Sequence, residues 1–257
     1  MKSTSLVLLF CALTTGLAFA QAPSATTTRT LTITWPPPQP PPGTAWASYP
    51  GPRLDWWIAR FETNVDKLQQ GPYDLVFDGD SITDNWQGPG KDVWKERYSG
   101  YKALDLGIGG DQVQHVTWRA QNGSLAGQSP KLIVVMIGTN NSGQEPKDVA
   151  AGVKMLLDEY EKLCPHAHLL LLGIFPRGAS PTDQGRVWVG KVNEIISTYG
   201  SDRVTYLDFG SKFLQPDGTI SPDMMPDFLH PTAKGYTIWA DAIQPVVDQY
   251  VGKPAGK

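Results

Sequence analysis

The chain has 257 residues, of which 40% are hydrophobic and 18% are charged, and its formal net charge at pH 7 is −3. This length and apolar content are enough for one domain with a sizeable core. The mild negative charge and the lack of a basic run argue against nucleic acid as a partner.

The first twenty residues predict a secretory signal peptide. A basic start is followed by an apolar stretch at Leu6–Phe10 and by small residues up to Ala20, which predict cleavage after Ala20. The apolar stretch is too short to span a bilayer, so we expect no stable membrane insertion and a secreted or periplasmic protein. Cys11 is removed with the signal. Cys164 then remains alone, so the mature chain forms no intramolecular disulfide.

The next segment has a different composition. Residues 26–34 are rich in threonine, and residues 36–42 read PPPQPPP, which requires an extended backbone. A spacer and a ligand for a partner are two conceivable roles, but a leader with neither role is the simpler interpretation and the one that we favour. The predicted boundaries are residues 1–20 for the signal peptide, 21–52 for this tether, 53–251 for the folded domain and 252–257 for a flexible tail.

From residue 53 onward, apolar runs alternate with amphipathic patterns. A first helical pattern covers Leu54–Leu68 and stops at Gly71-Pro72. Five runs predict strands: Leu75–Phe77, Ala103–Leu106, Lys131–Ile137, His168–Gly173 and Val204–Leu207. Further helical patterns lie at Asp111–Arg119, Val149–Leu163, Trp188–Tyr199 and Tyr236–Tyr250. This alternation predicts an α/β domain, in which a doubly wound parallel sheet lies between two layers of helices.

The first chemical candidate follows the first predicted strand. Gly79-Asp80-Ser81 ends the apolar run abruptly and places Ser81 at the carboxyl end of the strand. Open α/β sheets bind ligands and place catalytic residues at the carboxyl ends of their strands. By itself, however, a serine at this place is more often a helix cap or a turn residue. Trp86, just past this turn, is a candidate wall of a pocket, whereas the tryptophans at helical spacing are assigned to the core.

Two further stretches follow predicted strands. Leu106–Asp111 reads LGIGGD and opens a helix, so its glycines and free amides favour a negatively charged ligand. That ligand is either a phosphate or a developing oxyanion, but the spacing is that of neither a P-loop nor a dinucleotide fingerprint. Gly138–Asn141 follows the strongest strand. Asparagine at such a place is usually a turn former, but Asn140 can also point an amide donor into the crevice.

The last candidate pair precedes the final helix. Asp227 and His230 are three residues apart, which lets the carboxylate accept a hydrogen bond from one ring nitrogen while the other faces a nucleophile. His230 would then take the proton of Ser81. The remaining histidines, His115, His166 and His168, form no ligand pattern with nearby acids or cysteines. We therefore expect no metal and no cofactor.

Taken together, these motifs resemble the four blocks of the SGNH hydrolases, also called GDSL-type esterases and lipases. The blocks are Gly79–Ile82, Gly110, Gly138–Asn140 and Asp227–His230, and the resemblance extends from about Tyr73 to Gln249. The sequence of Gly107–Arg119 is similar to that of one branch of this family, the branch that resembles platelet-activating-factor acetylhydrolase subunits. Ile82 replaces the usual leucine, which we expect to be neutral.

The resemblance implies a serine hydrolase with a flavodoxin-like sheet. By position, Ser81 would be the nucleophile, Asp227 and His230 the rest of a triad, and Gly110 and Asn140 oxyanion donors, together with the amide of Ser81. No Gly-x-Ser-x-Gly elbow is present, which disfavours the ordinary α/β-hydrolase fold.

The expected activity is hydrolysis of short-chain acyl or acetyl esters, including esters of carbohydrates. A lysophospholipase or thioesterase with the same residues is one alternative. A non-catalytic carbohydrate-binding module on this fold is another, although it would normally have a damaged triad. The sequence carries no signature of an oligomer interface.

Overall fold

The computed structural model describes residues 39–53 and 55–254. The predicted signal peptide and the first part of the predicted tether lie outside these residues. Seven α-helices are present in the described part: α1 Asp55–Leu68, α2 Ser81–Asp84, α3 Lys91–Tyr98, α4 Val113–Gln121, α5 Pro146–Leu163, α6 Gln184–Ile196 and α7 Ala233–Tyr250. The strands are β1 Leu75–Gly79, β2 Ala103–Asp105, β3 Leu132–Met136, β4 His168–Leu172 and β5 Val204–Leu207.

The five strands form one parallel sheet in the order β2-β1-β3-β4-β5. The three central strands are buried along their whole length, which explains why they are apolar runs rather than alternating patterns. The chain passes from β1 to β2 on one side and then to β3 on the other. The predicted flavodoxin-like fold is therefore confirmed, and its switch point lies between β1 and β3, where such sheets bind ligands.

Side chains of the sheet alternate between two cores. Val76, Ile133 and Leu169 point to the face that α4, α5 and α6 cover. Leu75 and Phe77 point to the other face, against α3 and α7. Helices α4, α5, α6 and α7 contribute the apolar stripes that their sequence patterns predict. The two helical layers hold the sheet rigid, so the loops at its carboxyl edge start from fixed positions.

The packed part of the chain begins earlier than the predicted start at residue 53. Trp46–Ser48 forms a 3-10 turn inside the predicted tether, and Ala47 is 1% exposed. The carbonyl of Ala47 lies against Gly152 of α5, and its amide donates to Gln144 Oε1 at 3.1 Å. Because a larger residue at position 152 would displace this turn, the turn belongs to the domain. At the other end, residues 252–254 of the predicted tail carry no helix or strand, and residues 255–257 lie outside the described part.

Trp86 does not form a pocket wall, so that prediction was wrong. Its side chain is fully buried, with its ring centroid 4.6 Å from that of Tyr236 and 5.0 Å from that of Trp239. The reason is helix α3, which has no clear helical pattern in the sequence and which places Trp94 and Tyr98 against the Trp86 ring. Trp86 is thus the centre of an aromatic core beneath the turn at Gly79–Ser81.

Candidate active site

The structure brings Ser81, His230 and Asp227 into one hydrogen-bonded series. Ser81 is the first residue of α2, directly after β1, and His230 lies just before α7. Although the two residues are 149 positions apart in sequence, Ser81 Oγ lies 2.9 Å from His230 Nε2. On the other side of the ring, His230 Nδ1 lies 2.6 Å from Asp227 Oδ2.

The loop from Asp227 to His230 is fixed by its own carboxylate. Asp227 Oδ1 accepts the amide of Leu229 at 3.1 Å and the amide of His230 at 2.8 Å. This tight turn requires a positive φ of 57° at Phe228, a conformation that a bulky side chain rarely adopts. Partial burial raises the pKa of Asp227, but the hydrogen bonds from the ring and amide of His230 and from the Leu229 amide bring it below the ordinary value. The carboxylate is therefore ionised at neutral pH and orients the ring.

A second bond joins the histidine segment to the serine segment. Tyr236, in the first turns of α7, donates its hydroxyl to the carbonyl of Ile82 in α2 at 2.6 Å. Both residues are fully buried. The distance between Ser81 and His230 is thus set from within the core as well as by their own contact.

Gly110 lies in the loop after β2 and has a φ of +75°, so a side chain would be strained there. A Cβ at this position would also lie 3.0 Å from the guanidinium of Arg53, which donates to the carbonyl of Gly109 at 2.9 Å. Among the described residues, nothing accepts a hydrogen bond from the backbone amides of Ser81 and Gly110. Both amides are therefore available to a ligand.

Asn140 follows β3 and lies beside this loop. Its side-chain Nδ2 donates to the backbone carbonyl of Asp111 at 2.9 Å. The backbone carbonyl of Asn140 accepts from Gln112 Nε2 at 2.7 Å. A carbonyl oxygen can only accept, so the bond to Asp111 determines which end of the carboxamide is the NH₂ group. One of the two hydrogens on Nδ2 is used in this bond, and the other remains for a ligand. All five predicted site residues thus lie at the carboxyl edge of the sheet or next to it.

Two buried carboxyl groups lie close to the turn at Gly79–Ser81. Asp80 is fully buried and caps α2 by accepting the amide of Ile82 at 2.9 Å. Its burial raises its pKa to about 7, although the Ile82 amide and Arg177 oppose the shift. Burial also raises the pKa of Asp105, at the end of β2, to about 7, despite a hydrogen bond from the amide of Gly107 at 2.9 Å. A buried group that ionises near neutral pH makes the stability of the fold depend on pH.

We expect Asp105→Asn to remove part of that dependence. The folded-state pKa of Asp105 lies above the unfolded value of about 4, so the wild type loses stability as pH rises from about 4 to about 7 and then levels. Asparagine cannot ionise, so the free energy of unfolding of the variant should rise relative to that of the wild type over this pH range. At pH 8 the gain is at most about 4 kcal/mol, since one pKa unit corresponds to about 1.4 kcal/mol.

Thermal unfolding followed by circular dichroism between pH 4 and pH 8 measures this difference. The exposed Ser99→Ala, which removes no ionisable group, serves as control and should give a difference from wild type that does not change with pH. If Asp105→Asn showed the same flat difference, the Asp105 side chain would not resist ionisation in the folded state.

Three arginines near the site were not singled out from the sequence. Arg53 lies against Gly110, and Arg177 donates to the carbonyl of Thr139 at 2.8 Å. Arg119 is fully buried under the Gly110 loop. Its position offered a usable signal: it lies eight residues after Asp111, on the same side of α4 as the apolar Val116. A cation on the buried face of a helix requires buried partners.

A hydrogen-bonded Ser–His–Asp series beside free backbone amides is the arrangement found in serine hydrolases of several folds. The comparisons with known proteins agree with this class. The model of the GDSL-like Lipase/Acylhydrolase family matches residues 77–238. This chain therefore belongs to the GDSL-like lipase/acylhydrolase family, as the sequence motifs predict, and it is a carboxylic ester hydrolase.

Two named relatives and two solved structures place it more closely. The chain is 34% identical over 203 residues to platelet-activating factor acetylhydrolase IB subunit alpha1 of Rattus norvegicus, covering 78% of this chain and 86% of the relative. It is 36% identical over 184 residues to subunit alpha2 of Homo sapiens, covering 71% and 79%.

The structural similarity concerns the fold alone, because sequence identity is low. A Bacteroides fragilis NCTC 9343 protein assigned as an acylhydrolase gives a TM-score of 0.64 at 19% identity and covers 77% of this chain and 99% of that chain. An acetylxylan esterase from Geobacillus stearothermophilus gives 0.54 at 19% identity and covers 70% and 94%.

Proposed function

We propose that the chain hydrolyses esters through an acyl-enzyme formed on Ser81, with His230 as the general base and Asp227 as the group that orients it. The observation that carries this proposal is the pair of contacts from Ser81 Oγ to His230 Nε2, 2.9 Å, and from His230 Nδ1 to Asp227 Oδ2, 2.6 Å. A base must lie within hydrogen-bond reach of the proton that it removes, and this geometry meets that condition.

In the proposed first half-reaction, His230 Nε2 takes the proton of Ser81 while Oγ attacks the ester carbonyl carbon. The amides of Ser81 and Gly110 and the side chain of Asn140 stabilise the resulting oxyanion. His230 then gives its proton to the leaving alcohol. In the second half-reaction, His230 deprotonates a water molecule that attacks the acyl-enzyme, and the acid leaves as Ser81 recovers its proton.

We propose acetyl or other short acyl esters of carbohydrates as the substrate class. Two groups of similar proteins are named for acetyl esters, the platelet-activating factor acetylhydrolase subunits and the acetylxylan esterase. A further support is Trp56, which is 53% exposed in the first turn of α1. The guanidinium carbon of Arg53 lies 5.0 Å from the Trp56 ring centroid and 3.5 Å from the Cβ position of Gly110. An exposed aromatic face this close to the proposed oxyanion donors is suited to packing against a sugar ring.

We also propose that the mature enzyme acts outside the cytoplasm. The support is the predicted signal peptide at residues 1–20 together with the predicted tether. In the part of the chain that the structure describes, no helix combines the length and the apolar character needed to cross a bilayer.

A panel of substrates tests the proposed function. We expect kcat/KM to fall from 4-nitrophenyl acetate to butyrate to octanoate, and acetylated xylo-oligosaccharides to be deacetylated. Highest activity on octanoate or on a lysophospholipid would instead support the lipase alternatives, and highest activity on an acyl thioester would support a thioesterase. Binding of the oligosaccharide without any ester turnover would support the non-catalytic module and overturn the proposal.

A further inference from the structure

We propose that Arg119 is a positioning residue, which holds the turn at Gly79–Ser81 and the loop around Gly110 at a fixed separation. The inference rests on the proposed roles of Ser81, Gly110 and Asn140. Arg119 is fully buried in α4, with no exposure of its side chain, and cannot touch a substrate. Its effect on the reaction must therefore pass through the groups that it binds.

One end of the guanidinium holds the segment that leads to the nucleophile. Arg119 Nη2 donates to Asp78 Oδ1 at 2.7 Å and to the carbonyl of Gly79 at 3.3 Å. These residues end β1, and Ser81 begins α2 two positions after Gly79. Tyr160 fixes the other oxygen of Asp78 with a hydrogen bond of 2.7 Å. The carboxylate that receives the guanidinium therefore has little freedom to move.

Another nitrogen of the same guanidinium holds the loop around Gly110. Arg119 Nε donates to Asp111 Oδ2 at 2.9 Å, and Trp57 fixes the other oxygen of Asp111 at 2.6 Å. Asp111 directly follows Gly110, and its carbonyl accepts the Nδ2 of Asn140 at 2.9 Å. Movement of Asp111 would therefore displace two of the proposed oxyanion donors together.

Arg119 belongs to a row of four charged side chains whose signs alternate from the core to the surface. Asp78 and Asp111 are both fully buried, and Arg119 lies between them. Arg53, which is partly exposed, lies 3.5 Å from Asp111 and completes the series. A buried ion pair adds little net stability against apolar residues of the same volume, but its geometry is demanding. A planar guanidinium can bind both carboxylates in fixed directions, which the single ammonium of lysine cannot do.

A purely structural role is the alternative, and a matched control separates the two. Arg203 also uses its guanidinium inside the fold, donating to the carbonyls of Glu161, Cys164 and Ala167 at 3.4, 2.9 and 3.0 Å. These bonds lie at the amino edge of the sheet, away from the site, because they precede β4 and β5. Arg203→Lys should therefore lower thermal stability without changing kcat.

The test compares Arg119→Lys with Arg203→Lys on 4-nitrophenyl acetate, at a temperature where circular dichroism shows both variants folded. We expect Arg119→Lys to lower kcat at least tenfold while KM stays within about twofold, because the oxyanion donors act in the transition state. In an Asn140→Ala background, the same substitution should cost a smaller factor, since the two residues act through one loop. If Arg119→Lys does not fold, Asp111→Asn replaces it and should give the same pattern.

Equal kcat for Arg119→Lys and Arg203→Lys would overturn the positioning role, as would losses that multiply with Asn140→Ala. This failure is distinct from failure of the proposed function. If Ser81→Ala is inactive while Arg119→Lys has full kcat, only the positioning role is lost. If Ser81→Ala keeps full turnover, the proposed function itself is lost.

Discussion

Replacing Ser81 with alanine is expected to lower kcat for 4-nitrophenyl acetate by roughly 10⁴-fold or more, because no acyl-enzyme can form without Oγ. KM should change little, since Oγ takes little part in binding the ground state. His230→Ala should cost about as much. Asp227→Ala should cost less, because Asp227 orients the ring and does not touch the reacting atoms. Steady-state kinetics at pH 7–8 measure all three.

The matched control is Ser99→Ala, which removes an exposed hydroxyl that donates to the carbonyl of Lys95, just after the end of α3. This variant should keep wild-type kcat. Labelling offers a second readout: a fluorophosphonate should modify the wild type once per chain and should leave Ser81→Ala unmodified. If Ser81→Ala retained wild-type turnover, another group would have to be the nucleophile, and the proposed mechanism would be abandoned.

Replacing Asn140 with alanine has the largest expected effect outside the Ser–His–Asp series. Removing one donor from an oxyanion site typically lowers kcat by about 10²–10³-fold, which corresponds to about 2.7–4 kcal/mol of transition-state stabilisation. The bond from Nδ2 to the Asp111 carbonyl is also lost, so part of the effect will come from the loop. KM should remain near the wild-type value, because the oxyanion develops only during the reaction.

Asn122→Ala is the control for this substitution. Its carboxamide donates to the carbonyl of Trp118 at the end of α4, away from the proposed oxyanion donors. This variant should keep wild-type kcat at 25 °C. A normal kcat for Asn140→Ala would remove Asn140 from the oxyanion donors and leave the backbone amides of Ser81 and Gly110 in that role.

The strands were predictable from the sequence because a sheet covered on both faces turns its central strands into continuous apolar runs. Val204–Leu207 has the same bounds in the sequence pattern and in the structure, and the other strands differ only at their ends. Helix α3 was not predictable in the same way. It has eight residues and few buried side chains, chiefly Val93 and Tyr98, so its pattern is too short to stand out.

Only part of the proposed site could be predicted from the sequence. The contact between Asp227 and His230 follows from their local spacing, but the contact of His230 with Ser81 spans 149 residues and needed the resemblance to known blocks. Arg119 was missed because a lone arginine in a sequence is most often on the surface. The turn at Trp46–Ser48 was missed because the surrounding proline-rich composition conceals one small residue, Ala47, that packs against Gly152.

The hydroxyl of Tyr236 on the Ile82 carbonyl has a consequence for how such an enzyme can diversify. Because this bond joins α7 to α2 below the surface, the spacing of Ser81 and His230, the proposed reacting groups, does not depend on the exposed loops. Residues 179–182, which are mostly exposed, can therefore accept substitutions in evolution or in the laboratory while the chemistry stays the same. The spacing of the proposed reacting groups is thus inherited with the core of the domain, separately from these exposed residues.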